Sequence, residues 1–259
     1  MDIRYIELGE VSKEIFTALW EYNAIIDVQI PTLIQFSLET ESVILWGKHE
    51  ADVSHIINSD IGNVIRTFEG ASSLPENKAG YYIEGPNIDN FLLFFDKDIC
   101  KMFVHSIREC CFKFGIETIW NGRNDVFFKL EENQKKFFST GYENSFEFNI
   151  NGFGITYSFN SVLANKVRDL DYKNVLKTPK FDADTGDISD VVGGIWEVNP
   201  DVNKIEFNNK FLKILMKKLG SKLKKDNLSN EEMQLLINRG KKRLEDEEWM
   251  LRGNNENFI

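Results

Sequence analysis

Residues 121–142 read NGRNDVFFKLEENQKKFFSTGY. A Gly-Arg-Asn-Asp turn precedes a short apolar run, Val126 to Phe128. A charged turn, Lys129 to Gln134, and a lysine pair, Lys135 and Lys136, lead into a second run, Phe137 to Tyr142. The pattern is strand, turn, strand, with a cation at the head of the return strand. Such a hairpin can hold one lysine opposite Asn124 and Asp125. That arrangement suits a ligand carrying both a carboxylate and a metal-bound phosphate. On these residues alone, a surface hairpin with charged ends fits at least as well.

The flanks carry their own periodicities. Just downstream, Ser145 to Ile150 and Gly154 to Phe159 read as a strand pair about Asn151-Gly152, a favoured hairpin turn. Upstream, Met102, Phe103, Ile107, Cys110, Cys111 and Phe114 form the apolar stripe of a helix that starts at Asp96 and stops at Gly115. Further upstream the pattern predicts strands at Asp2 to Leu8, Thr32 to Leu38, Ser42 to Trp46, Asn63 to Phe68 and Gly80 to Glu84. A helix is expected over Glu10 to Ile26, and a short one capped by Asp52. In the last third a short strand is expected near Val191 to Val198, then helices at 207–219 and 229–249. Ser229 and Glu232 have the spacing of a capping box. The lysine-rich stretch before Ser229 is the one candidate linker. Strands outnumber helices and hairpins recur, so the expected fold class is α+β, with a mixed, largely antiparallel sheet flanked by helices. A single domain over 1–259 is expected, without a separate accessory C-terminal domain.

Composition narrows the function classes. The chain has 259 residues, 42% hydrophobic and 28% charged, enough for a real core in a soluble protein. No apolar run approaches the roughly 20 residues needed to span a bilayer. Neither a signal peptide nor membrane association is indicated, so a cytoplasmic location is expected. A net charge of −10 argues against nucleic-acid binding. Lysines crowd 210–225 without an acid among them, which fits a solvated helix face or a docking patch for an acidic partner. Cys100, Cys110 and Cys111 share one predicted helix and read as buried small apolar residues, not disulfide or metal ligands.

Several segments then fall in one order: VILWGKHE at 43–50, VIRTFEGASSLPENKAGYYIEG at 64–85, the focal hairpin, GFGITYSFNSVL at 152–163, and the final LSNEEMQLLINRGKKRLEDEEWMLRGN. Together they resemble the lipoate–protein ligase A family, part of the biotin/lipoate ligase and acyltransferase superfamily. The resemblance covers nearly the whole chain and is strongest at Gly122 to Lys136. It implies an enzyme that activates lipoate or octanoate with ATP and Mg²⁺ to an acyl-adenylate. The acyl group then passes to a lysine of a lipoyl domain or a glycine-cleavage H-type carrier protein. It implies Lys136 as the reactive-site lysine. Gly122, Asn124, Thr140 and Gly141 would line the acyl-adenylate, and Asp125 would hold Mg²⁺. Arg66 with Gly70, Ala71, Ser72 and Ser73 would close over the substrate. A separately encoded partner would supply the family's accessory domain.

The chain also departs from that pattern. Where the family has Arg-Arg-x-Ser-Gly-Gly-Gly, this sequence has Arg66-Thr67-Phe68-Glu69-Gly70-Ala71-Ser72. Three glycines would let backbone N–H groups close on a phosphate, and Glu69 sets an anion nearby. Phe138 stands where a small residue is expected, Phe153 where a histidine is, and Gly194 at the place of an arginine. These changes raise a second reading, a ligase-fold binding module for a carrier domain or partner subunit. The related octanoyl- and lipoyl-transferases use a cysteine in the loop before the hairpin, and Trp120 to Asp125 contains none.

Overall fold

The computed structural model describes residues 1–46, 52–67, 79–122, 124–131, 134–143, 148–171, 176–177 and 187–253. The elements run in this order: β1 (Asp2–Val11), α1 (Lys13–Leu19), α2 (Tyr22–Ile25), β2 (Thr32–Leu38), β3 (Ser42–Trp46), α3 (Ser54–Ile57), β4 (Asn63–Thr67), β5 (Ala79–Glu84), β6 (Ile88–Phe95), α4 (Cys100–Lys113), β7 (Thr118–Trp120), β8 (Asp125–Lys129), β9 (Gln134–Glu143), β10 (Asn149–Thr156), α5 (Ser161–Leu170), β11 (Leu176–Lys177), a 3₁₀ turn (Ile188–Asp190), α6 (Ile195–Val198), α7 (Lys204–Leu219), β12 (Lys222–Asp226), α8 (Asn230–Glu245) and α9 (Glu247–Arg252).

Among the described residues two sheets organise the chain. The larger has eight strands in the order β12-β1-β2-β6-β10-β9-β8-β7, and the smaller has four, β11-β5-β3-β4. Within the larger sheet β12, β1 and β2 are parallel, and every later pairing is antiparallel. The α+β expectation with a mixed, largely antiparallel sheet therefore holds. Strand alternation sorts the side chains into three apolar layers. Phe91, Leu93, Phe153, Val126 and Phe128 face α4 and α7. Ile34, Phe36, Leu92 and Phe94 face the other way, toward α1, Leu236 of α8, and Ile44 and Ile65 of the smaller sheet. Val43, Leu45 and Ile83 cover the far side of that sheet with α3 and α5.

The structure corrects several expectations. The helix set at Glu10 to Ile26 is two short ones, because β1 runs on to Val11 and the helix breaks at Glu21. That carboxylate is buried against Arg239 and Arg243, at 2.5 and 2.6 Å. Asn151-Gly152 is no turn. It lies inside β10, where Asn151 Oδ1 accepts from the Ile99 N–H ahead of α4. A Cβ at Gly152 would stand 3.2 Å from the Trp20 ring, tighter than an ordinary contact. The strand expected near Val191 to Val198 is, among the described residues, a single bridge of Val192 to Lys136 of β9 followed by α6, with the 3₁₀ turn just before it. The lysine-rich linker is β12, an edge strand whose Lys224 and Lys225 pair with Asp2 and Glu7 of β1. The last helix breaks at Asp246, which ends α8 and caps α9 through the Trp249 N–H. The capping box of Ser229 and Glu232 is present as expected.

Candidate functional site

The site is built on the β8–β9 hairpin, and a bulge decides which way its lysine points. Asp125 pairs with Ser139 and Val126 with Phe138, but Phe127 pairs with Lys136. Phe137 is thus the extra residue of β9. Its ring is buried and stacks on Phe128 at 4.1 Å. Without the bulge, strand alternation would send Lys136 into the Phe-rich layer facing α4. With it, Lys136 shares the opposite face with Asp125 and Ser139. The Lys136 ammonium lies 3.7 Å from Asp125 Oδ1, with both side chains about a quarter exposed. Ser139 Oγ donates to that same oxygen at 2.9 Å.

The strand is clamped behind the lysine. The Lys136 N–H donates to the Val191 carbonyl at 2.8 Å, and its carbonyl accepts from the Gly193 N–H at 3.0 Å. Glu197 of α6 holds this segment by accepting from the Gly194 N–H and pairing with Lys135 at 2.9 Å. Gly194 explains the lost arginine. A Cβ there would fall 2.5 Å from the Tyr157 carbonyl carbon and 2.8 Å from Ser158 Cα. No side chain fits unless this clamp moves.

Small residues back the lysine. Ser139 pairs with Gly154 and Gly141 with Gly152, all on the Asp125 face. At its inner margin a Cβ on Gly154 would meet only Asn90 Oδ1, at 3.6 Å. Asn90 in turn donates to Glu84, and both side chains are buried.

The sequence-derived residues fare unequally. Lys136 and Asp125 come together, and Gly141 lies on the same face farther along β9, opposite Gly152. Gly122 takes a positive φ of 80° in the turn before β8, where glycine costs least. Asn124 is exposed beside it, and its carbonyl accepts from the Thr140 N–H at 3.0 Å. Thr140 needs correction. Its side chain is buried on the α4 face, with its hydroxyl 3.0 Å from the Gly152 carbonyl and 3.4 Å from Cys100 Sγ. Arg66 is fully buried at the end of β4, where its Nη1 donates to the Trp249 and Met250 carbonyls of α9. Burial lowers its pKa to about 10. Gly70, Ala71, Ser72 and Ser73, with Glu69 and the Gly47-Lys48-His49 motif, lie outside the described residues. Sequence reasoning missed Ser139 as a site residue. The signal was its place three residues beyond Lys136, on the same face only if a bulge intervenes.

Two chemistries find little support. The three cysteines are buried, and burial raises the Cys100 and Cys110 thiols to about 12 and Cys111 well above its ordinary value, so none is a ready nucleophile. Among the described residues no three His, Cys, Asp or Glu side chains gather as metal ligands. Asp125 contributes one carboxylate, already bonded to Ser139 and facing an ammonium. That donor set does not fit a resident divalent ion. A cleft of about 440 Å³ lies elsewhere, at the β1 bulge beside Gly9 and the start of α7. Asp89 in its wall is held by Lys204 at 2.7 Å and by Asn208, on the sheet face away from Lys136.

No protein-family model and no curated protein sequence matches the chain. Solved structures do. A bi-partite lipoate protein ligase from Thermoplasma acidophilum, studied with its E2 lipoyl domain, aligns over 100% of this chain and 98% of its own, at 16% identity and a TM-score of 0.71. The fold is that of the lipoate–protein ligases. A lipoate-protein ligase A bound with ATP aligns over 97% of this chain and 99% of its own, at 16% identity and a TM-score of 0.67. P. falciparum LipL1 in complex with lipoate aligns over 100% and 76%, at 13% identity and 0.63. At such identities the likeness establishes the ligase fold, and the chemistry has to be argued from the hairpin.

Proposed function

We propose that this chain is a divergent lipoate–protein ligase. A carboxylate oxygen of lipoate (or octanoate) attacks the α-phosphorus of ATP and pyrophosphate departs, leaving an acyl-adenylate. The amine of a lipoyl-domain lysine then attacks the acyl carbonyl, AMP departs, and an amide is formed. The observation that carries this reading is the bulge that turns Lys136 onto a glycine-backed face and the two main-chain bonds that hold it there. A fixed ammonium offsets the charge that grows on the acyl and phosphate oxygens, and one such contact contributes roughly 3 kcal/mol to a transition state. Gly154 and Gly141 keep bulky side chains off the strand face that Lys136 shares. The likeness to ligases solved with ATP and with lipoate supports both substrates, and the one studied with its E2 lipoyl domain supports a carrier-domain partner.

Lipoate-dependent ATP–pyrophosphate exchange tests the proposal. Exchange is expected in the wild type and lost in Lys136→Ala; no exchange above a lipoate-free control, with the variant indistinguishable, overturns it.

A second reading, a carrier-binding module without adenylation, draws on the missing cations. Thr67 stands where the resemblance has a second arginine, Arg66 is bonded to α9, and Gly194 leaves no room for a third. Capture of both apo and lipoylated carrier domains by a protein without exchange activity would favour it.

A further inference from the structure

We infer that Asp125 and Ser139 form a positioning pair for Lys136, and that Asp125 is not the seat of a divalent ion in this chain. The inference deepens the ligase reading and rests on it for the chemistry, though not for the geometry. Three residues from two strands meet on one carboxylate oxygen. Ser139 Oγ donates to Asp125 Oδ1 at 2.9 Å, and the Lys136 ammonium approaches the same atom at 3.7 Å. The register puts Asp125 and Ser139 directly opposite each other, so their contact is built into the ladder. Lys136 reaches them only through the Phe137 bulge. A long lysine side chain has several rotamers, and a carboxylate fixed by its own hydrogen bond selects one of them.

The same geometry disfavours a metal. A divalent ion on Asp125 would take a carboxylate already engaged by the serine proton at Oδ1 and sit within reach of a like-charged ammonium. Among the described residues no gathering of carboxylates would offset that repulsion. A divalent ion arriving with a nucleotide would then be held by phosphate oxygens and water. Lys136 would keep its carboxylate partner throughout.

Competitive acetylation with acetic anhydride, read by mass spectrometry on the full chain, follows Lys136 with Lys135 as internal reference. Lys135 pairs with Glu197 and should not respond. Ser139→Ala and Asp125→Asn should each raise Lys136 labelling about two- to five-fold, the range of one partly exposed ion pair. The double variant should go no further than Asp125→Asn, and Ser139→Thr should restore the wild-type rate. Mn²⁺ alone, added to ¹⁵N-labelled protein, should not selectively broaden the amides of Asp125 and Ser139. Unchanged Lys136 labelling in both single variants overturns the inference, as does Mn²⁺ broadening that disappears in Asp125→Asn. Neither measurement needs turnover. Absence of lipoate-dependent exchange in the wild-type protein, with these responses intact, would sink the ligase reading and leave the positioning pair standing.

Discussion

Gly194→Ala is the most informative single change, because it loads the clamp behind Lys136 without touching the lysine. The backbone at Gly194 is extended, with φ −119° and ψ 160°, so alanine meets no conformational penalty there. The cost is purely steric. A Cβ only 2.5 Å from the Tyr157 carbonyl carbon must retreat by roughly 1 Å to reach an ordinary contact. The retreat stretches three main-chain bonds: Trp196 N–H to Tyr157, Lys136 N–H to Val191, and Gly193 N–H to Lys136. Each contributes about 1 kcal/mol, and overpacking alone costs about 1–3 kcal/mol. A loss of about 2–4 kcal/mol is expected in urea unfolding, with an unchanged m-value. Amide exchange should quicken at Lys136 and Gly193 more than in the neighbouring strand β10. A loss under about 0.5 kcal/mol, the level of an inconsequential surface change, with both amides as protected as before, would refute the clamp.

Other perturbations have equally definite outcomes. Gly240→Ala would set a Cβ 2.7 Å from Glu14 Cα where α8 crosses α1. It should cost about 2–3 kcal/mol in thermal or urea unfolding, and a neutral result would mean that the helices separate freely. Glu232 is held at a pKa of about 2 by its hydrogen bonds from Arg4, against burial that pushes the other way. A depressed carboxyl stabilises the fold above its unfolded pKa, about 4.5, and loses that contribution as pH falls through the folded value. Glu232→Gln should therefore cost about 2–3 kcal/mol at pH 7 and progressively less toward pH 2; a pH-independent difference would contradict the pairing. The native cysteines should resist iodoacetamide at pH 8 and react on unfolding, since burial keeps all three as thiols. Rapid native labelling would show that one is accessible.

Legibility in the sequence followed the kind of burial. Helices with one wet face announced themselves, as did those with a capping signal: α7 and α8 carry the stripes and capping box that located them. Strands β2 and β3 match their expected bounds although nearly every described side chain in them is buried, and Pro31 marks where β2 opens. Strand β6, the hidden centre of the larger sheet, was missed. All eight of its residues are buried, and the run from Ile88 to Phe95 has no alternation to betray a strand. Helix α5 also escaped, although Asn160 caps it through the Leu163 N–H. Asn151-Gly152 misled because its turn chemistry is real but was overridden. A neighbouring helix start satisfies the asparagine, and the Trp20 ring packs closely against the glycine. At the site, residue identities were readable around Lys136 and Asp125. Their facing was not, since a bulge shifts parity without altering composition. Thr140 was misplaced for that same reason.

Arithmetic gives the Phe137 bulge a consequence for how such a hairpin can change over time. A strand repeats every two residues, so one residue more or fewer exchanges its inner and outer sides. Removing Phe137 would leave every other hydrophobic residue present and the hairpin still able to close, yet would turn Lys136 toward the rings packed on α4. Replacing a side chain here alters the strength of a contact. Altering the length by one replaces the function with a buried, uncompensated charge. This hairpin can therefore drift widely in composition, and the property it cannot surrender is its count of residues between Lys136 and Ser139.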